Sequence, residues 1–143
     1  MKHLDTTSEP IQINLLCKGS MIEHLGIEIT ELGDKLVCGK MPVDHRTIQP
    51  MGLLHGGASV ALAETLGSLA GMRELDSEKQ YCVGLEINAN HIKSVKEGYV
   101  YGKATPIHIG KRTQVWEIRI TNDKDKCVCV SRITLAVVNK TGK

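Results

Sequence analysis

The stretch GLLHGGASVALAETLGSLAG, from Gly52 to Gly71, constrains the fold of this chain more than any other segment. It is the one long run that follows helical spacing. Projected at about 100° per residue, Leu62, Leu66 and Leu69 fall on one side and predict a face packed against other apolar structure. Almost opposite lie Gly57, Ala61, Glu64 and Ser68, where an exposed helix would carry charged residues of both signs. Small residues with a single acid predict that this second face is covered too. Ala63, Gly67 and Gly71, spaced by four, form a smooth stripe. It suits either the approach of another backbone or close packing on the chain's own strands, since interior helix glycines cost about 1 kcal/mol each.

Around the helix the pattern is period two. GIEITEL and KLVCGKMPV flank Gly33–Asp34 as a hairpin. In YCVGLEINANHI the residues Tyr81, Val83, Leu85, Ile87 and Ala89 share one face. YVYGKATPI, TQVWEIRI and CVCVSRITLAVVN supply further strands. A short helix is expected near Pro10–Cys17, with another turn near Met21. One dominant helix and five or six strands joined by short connections make an α+β domain with an antiparallel sheet. Neither repeats nor linkers divide residues 1–143, so a single domain is expected.

Glu64 is the chemical anomaly. Its neighbours at three and four residues are Val60, Ala61, Gly67 and Ser68; none supplies a positive charge and only Ser68 offers a hydrogen bond. A covered, unpaired carboxylate is costly and marks a functional polar group, the bland alternative being an acid that reaches solvent at a helix edge. At the helix entrance, Gly56 and Gly57 present first-turn N–H groups at the positive end of the helix dipole, where an oxyanion can be stabilised. Gln49 is a neutral donor nearby. His55 either orients Gln49 and the loop or is a structural histidine. Gly56 and Glu64 stand eight residues apart, about 12 Å along a straight helix. Both can act on one carbonyl only if Glu64 comes from a second copy, as in two antiparallel helices with two equivalent sites.

Composition closes off several classes. The net charge of +2 is small and scattered, and with no Phe, one Trp and three Tyr there is no stacking platform for nucleic acid. The decapeptide MKHLDTTSEP carries Asp5 and Glu9 and no apolar run, unlike a secretory leader. No segment approaches the about 18 apolar residues of a membrane span. Five cysteines without C-x-x-C spacing fit neither a disulfide framework nor a zinc site. Reduced thiols in a cytoplasmic protein, with no metal or other cofactor, are the expectation.

The segments MPVDHRTIQPMGLLHGGASVALAETLGSLAG, VGLEINANHIKSV and VWEIRI resemble the hotdog-fold acyl-CoA thioesterases. They are similar above all to the bacterial branch acting on 1,4-dihydroxy-2-naphthoyl-CoA and related aryl thioesters, which includes the proofreading thioesterase of enterobactin synthesis. The resemblance implies a curled antiparallel sheet wrapped around one long central helix. It implies hydrolysis of aryl-CoA thioesters to free acid and CoA, and an assembly of four copies built from site-sharing dimers. It assigns Glu64 as nucleophile or general base, the Gly56 N–H as the group polarising the thioester carbonyl with Gln49 beside it, His55 as the active-site histidine, and Ser68 as a hydroxyl holding the attacking water. It places His91, Lys93 and Ser94 against the CoA moiety; Lys93 stands where the family often has Arg, which keeps charge but loses a bidentate grip on phosphate. Without the resemblance Lys93 reads as a solvated surface residue. Medium-chain acyl-CoA, an aryl group on a carrier protein, and a non-catalytic acyl-CoA-binding module are the competing readings. A dehydratase lacks its HFPG-like stretch here, and His55 with Glu64 has no metalloprotease spacing.

Overall fold

The computed structural model describes residues 9–140. The first eight residues of the acidic N-terminal decapeptide lie outside them. Two short helices come first, α1 (Pro10–Leu16) and α2 (Met21–His24). Pro10 opens α1, where its missing N–H costs nothing, and the Glu9 N–H donates to Gln12 Oε1 at 2.9 Å. Ser20 caps α2 through Oγ, which accepts from the Ile22 N–H at 3.2 Å. The hairpin β1 (Glu28–Gly33) and β2 (Leu36–Pro42) follows, then the long helix α3 (Gly56–Arg73) and the strands β3 (Gln80–His91), β4 (Tyr99–Ile109), β5 (Thr113–Asn122) and β6 (Cys127–Asn139). Among the described residues no helix is long and apolar enough to cross a membrane.

The six strands form one sheet in the order β1-β2-β4-β5-β6-β3, every neighbouring pair antiparallel. The fold is thus α+β with one long helix, as expected. A sheet curled around that helix is not what forms. The strand order is open, β1 and β3 are its two edges, and no pairing joins them among the described residues. Period-two patterning says which face of a strand is apolar, but closure depends on two distant edges meeting. Here the β1 edge is already occupied: Asn14 Nδ2 donates to the Ile29 carbonyl at 2.9 Å, and the Ile29 N–H donates to Asn14 Oδ1 at 2.8 Å. The carboxamide stands where a further strand would, blunting the edge and docking α1 on the sheet.

Leu62, Leu66 and Leu69 are buried against the sheet, whose core includes Val37, Trp116, Ile118, Ile120, Ile133 and Leu135. The small-residue stripe packs on the chain's own strands. A Cβ on Gly67 would lie 2.5 Å from Ile133 Cγ2, and one on Gly71 would collide with Leu135 Cδ1. The buried Gln114 ties the end of α3 down: its Nε2 donates to the Gly71 carbonyl at 3.3 Å and its Oε1 accepts from Trp116 Nε1 at 2.9 Å.

The expectation that Tyr81, Val83, Leu85, Ile87 and Ala89 share a face is also corrected. Gly84 pairs with Leu135 and Glu86 with Thr134, so Leu85 is an inserted, bulged residue. The bulge moves the apolar face by one position. Before it, Cys82 turns inward and Val83 outward; after it, Ile87 and Ala89 pack on the core.

Two stability measurements follow. Gly71→Ala should lower unfolding stability, because overpacking against Leu135 at about 1–3 kcal/mol outweighs the roughly 1 kcal/mol gained in helix propensity; a more stable variant in urea titration would show the contact to be soft. Asn14→Ala should cost about 2 kcal/mol through two lost hydrogen bonds to partly buried backbone, read as an earlier unfolding midpoint.

Candidate active site

The loop before α3 is braced at several points. The Arg46 guanidinium hydrogen-bonds the Asp44 carboxylate at 2.6 and 3.0 Å and holds that carboxyl down at about 2. Buried Thr47 donates from Oγ1 to the Pro42 carbonyl at 2.7 Å, and its own carbonyl accepts from the His55 N–H at 2.8 Å. The Leu54 N–H donates to Val95 at 2.8 Å. These bonds fix where the chain enters the helix. Within the loop the Met51 N–H donates to Gln49 Oε1. That contact orients the carboxamide and leaves its Nε2 group, without a partner among the described residues, as a donor.

His55 is the N-cap of α3. Its Nδ1 accepts from the Gly57 N–H at 2.8 Å, so the ring N–H sits on Nε2. The Ala58 and Ser59 N–H groups are satisfied by the His55 carbonyl at 3.0 and 3.3 Å. This leaves the Gly56 N–H as the one free donor of the first turn among the described residues. Any side chain at Gly56 would strike His91, whose Nε2 lies 2.8 Å from the position of a Cβ there. Gly56, His55 and His91 therefore form one group at the start of α3. Lys93 and Ser94 follow in an exposed segment after β3; the Lys93 N–H donates to Val128 at 3.2 Å and its ammonium makes no ion pair among the described residues.

Glu64 and Ser68 form a second group, two turns along. Within one chain Glu64 is exposed rather than covered, and its carboxylate has no hydrogen-bond or ion-pair partner among the described residues. It sits on the rim of a cavity of about 670 Å³. Ala61, Thr65, Ser68, Leu69 and Met72 of α3 make one wall, and Ile13, Leu16, Cys17, Met21, Ile22 and Leu25 the other. Among the described residues Glu64 is the only charged one in the lining. Met72 lines this space, whereas Met51 projects to solvent and Leu54 packs on the core. The Cys82 thiol also lines the cavity, 3.9 Å from the Ser68 carbonyl, and burial pushes it up to about 11, so it stays protonated at neutral pH.

The opposite wall, Cys82 and Gly84 were missed from the sequence. The α1–α2 wall comes from residues far away in the chain, and the bulge at Leu85 reverses the face on which Cys82 and Gly84 lie. Among the described residues no three His, Cys, Asp or Glu side chains converge as a metal site would need.

The thioesterase superfamily profile matches residues 51–129, a span that contains Gly56, Glu64, Ser68 and His91. A solved thioesterase structure from Haemophilus influenzae superposes with a TM-score of 0.90 at 53% identity, covering 93% of this chain and 92% of that one. Among curated proteins, the proofreading thioesterase EntH of Cronobacter turicensis is 50% identical, and the 1,4-dihydroxy-2-naphthoyl-CoA hydrolase of Escherichia coli 49% identical. Each of those matches spans 88% of this chain, and they cover 91% and 92% of the relative respectively. The chain belongs to the thioesterase superfamily and is a thioester hydrolase of the hotdog fold.

Proposed function

We propose that the chain hydrolyses acyl-CoA thioesters to the free acid and CoA, as a single domain over residues 1–143 working in a cytoplasmic assembly whose sites are shared between two copies. The observation that carries this reading is the placement of Glu64. An unpartnered carboxylate stands on the rim of an apolar cavity, about 12 Å along the helix from the free Gly56 N–H. One chain cannot bring both groups to the same carbonyl. In the shared site, Gly56 N–H and Gln49 Nε2 of one copy donate to the thioester oxygen while Glu64 of the other copy approaches the carbonyl carbon.

Two routes balance. As general base, Glu64 takes a proton from water as the hydroxyl adds to the carbonyl; collapse of the tetrahedral intermediate breaks the C–S bond, and the proton passes to the departing thiolate. As nucleophile, Glu64 adds directly and CoA leaves as its thiolate; water then cleaves the resulting anhydride, which restores the carboxylate, frees the acid and releases the proton that the thiolate takes up. In either route Ser68, one turn on, holds the water, and His55 keeps the Gly56 turn in shape through its cap. The CoA moiety runs along His91, Lys93 and Ser94, and pairs of the site-sharing dimers make a tetramer.

The cavity takes the acyl group. Its lining of aliphatic, methionine and cysteine side chains is adaptable, which favours a broad range that includes medium-chain and aryl acyl-CoA. A dedicated aryl-CoA hydrolase is the second reading, favoured by the likeness to the E. coli 1,4-dihydroxy-2-naphthoyl-CoA hydrolase.

Steady-state hydrolysis of benzoyl-CoA, 1,4-dihydroxy-2-naphthoyl-CoA and octanoyl-CoA tests these statements. Glu64→Gln should lower kcat on all three by about 10²–10⁴-fold with the assembly intact; wild-type rates would make Glu64 structural. Values of kcat/KM within about tenfold of one another support the broad pocket, since small apolar differences discriminate by only about 10–200-fold; a wider preference for the naphthoyl substrate supports the dedicated enzyme. Cys17→Trp, which narrows the cavity from the α1 side, should depress octanoyl-CoA turnover about tenfold more than benzoyl-CoA turnover. Equal losses on both would place the acyl group elsewhere.

A further inference from the structure

Gly84 faces Glu64 from the edge strand β3. A Cβ built on Gly84 would stand 3.3 Å from Glu64 Oε1, and apart from Gly84 and its two chain neighbours no other atom of the described residues comes within 4 Å of it. The backbone does not require glycine here, because Gly84 does not adopt a positive φ; among the described residues the glycines that do are Gly19, Gly26, Gly52 and Gly98. A glycine inside a strand weakens it and commonly marks a place that something must approach closely. What approaches is the Glu64 carboxylate.

The bulge explains how the glycine comes to point there. Leu85 is inserted between the Gly84–Leu135 and Glu86–Thr134 pairs and is itself 61% exposed. Regular alternation continued back from Ile87 and Ala89, which face the core, would put Leu85 and Val83 on the helix side. The inserted residue instead brings Gly84 and Cys82 to that side. In place of a leucine side chain beside the carboxylate, β3 presents bare backbone.

We propose that Gly84 is a positioning residue for Glu64: its missing side chain leaves the gap in which the carboxylate rests at the cavity rim, and the Leu85 bulge exists to aim that gap. The inference rests on the reading of Glu64 as the catalytic carboxylate. A methyl group at position 84 forces Oε1 to give way by a few tenths of an ångström, and a branched side chain forces it further. A misplacement of about 1 Å at a reacting group costs on the order of 10²-fold in rate.

The test is a set of variants assayed with benzoyl-CoA: Gly84→Ala, Gly84→Val, Glu64→Gln, Glu64→Asp and the Gly84→Ala/Glu64→Asp double variant, each checked by sedimentation and thermal unfolding. Gly84→Ala should lower kcat about tenfold and Gly84→Val about 100-fold, with KM changed less than about threefold, assembly unchanged and Tm no lower. The shorter Asp withdraws from the new methyl group, so the loss caused by Glu64→Asp should be several-fold smaller in the Gly84→Ala background than in the wild type, a coupling that a merely structural glycine does not produce. Wild-type kcat in Gly84→Ala, alongside a collapse in Glu64→Gln, overturns the positioning role and leaves the Glu64 reading standing. Dissociation or a fall in Tm, with additive effects at the two positions, overturns it as well, by showing that the glycine serves the strand edge. Full activity in Glu64→Gln removes the parent reading instead.

Discussion

The seating of α3 on β5 and β6 is the contact from which the rest of the structure follows. Gly67 and Gly71 have no room for a side chain, because the space is filled by Ile133, Ile118 and Leu135. That interdigitation fixes the rotation of the helix about its axis. With Gly67 and Gly71 pressed on the sheet, Glu64 and Ser68, a few residues away on the helical wheel, must face the cavity. The two ends are fixed as well, by Gln114 on the Gly71 carbonyl and by the His55 cap with its bonds to Thr47 and Gly57. The polar groups of the candidate site are thus held at a set separation on a rod that can neither roll nor slide, the kind of rigid support that positioned chemistry needs.

A rod that fixes separation also sets a limit. The Gly56 N–H is left free at one end because His55 satisfies its neighbours and Gly56 itself has none. Glu64 is left free two turns on, beside an edge strand whose outward side carries the exposed Val83 and Leu85. In the proposed shared site each half meets its counterpart from a second copy. There both come from a single geometric fact, the helical rise, and the open β3 edge next to Glu64 is where a second copy has access.

Much of this was legible in local pattern. Spacing of Leu62, Leu66 and Leu69 located the helix and its buried face, and Gly33–Asp34 located the hairpin, because both depend on interactions within a few residues. Glu64 stood out because no helical neighbour compensates its charge, and Gly56 and His55 because they stand at the entrance of the helix. What local pattern did not carry was non-local. The β1 edge is blunted by Asn14 reaching Ile29, and the cavity depends on residues from α1 and α2 meeting α3. The single inserted residue at Leu85 defeats a period-two reading from Tyr81 to Ala89, since one extra residue moves every side chain before it to the other face. Cys82 and Gly84 were hidden for that reason alone. The covered face inferred for Glu64 is covered only in part within one chain, because α1 and α2 reach the apolar residues beside it and stop short of the carboxylate.

That incomplete cover has a chemical consequence. A cation paired with Glu64 would stabilise the carboxylate and make it a poorer base and a poorer nucleophile. The chain instead sets it beside glycine, alanine and the bare backbone of β3. In the separated chain water solvates it, and the acid costs little. In the proposed shared site a substrate and a second copy close over the cavity rim and take water away from the same carboxylate. A carboxylate stripped of part of its water is in general the more reactive toward a carbonyl carbon. In that proposed site the cost of desolvation falls at assembly and substrate binding rather than during folding. On this reasoning a lone glutamate among small apolar residues is compatible with a stable protomer, and its reactivity is tied to the closed site.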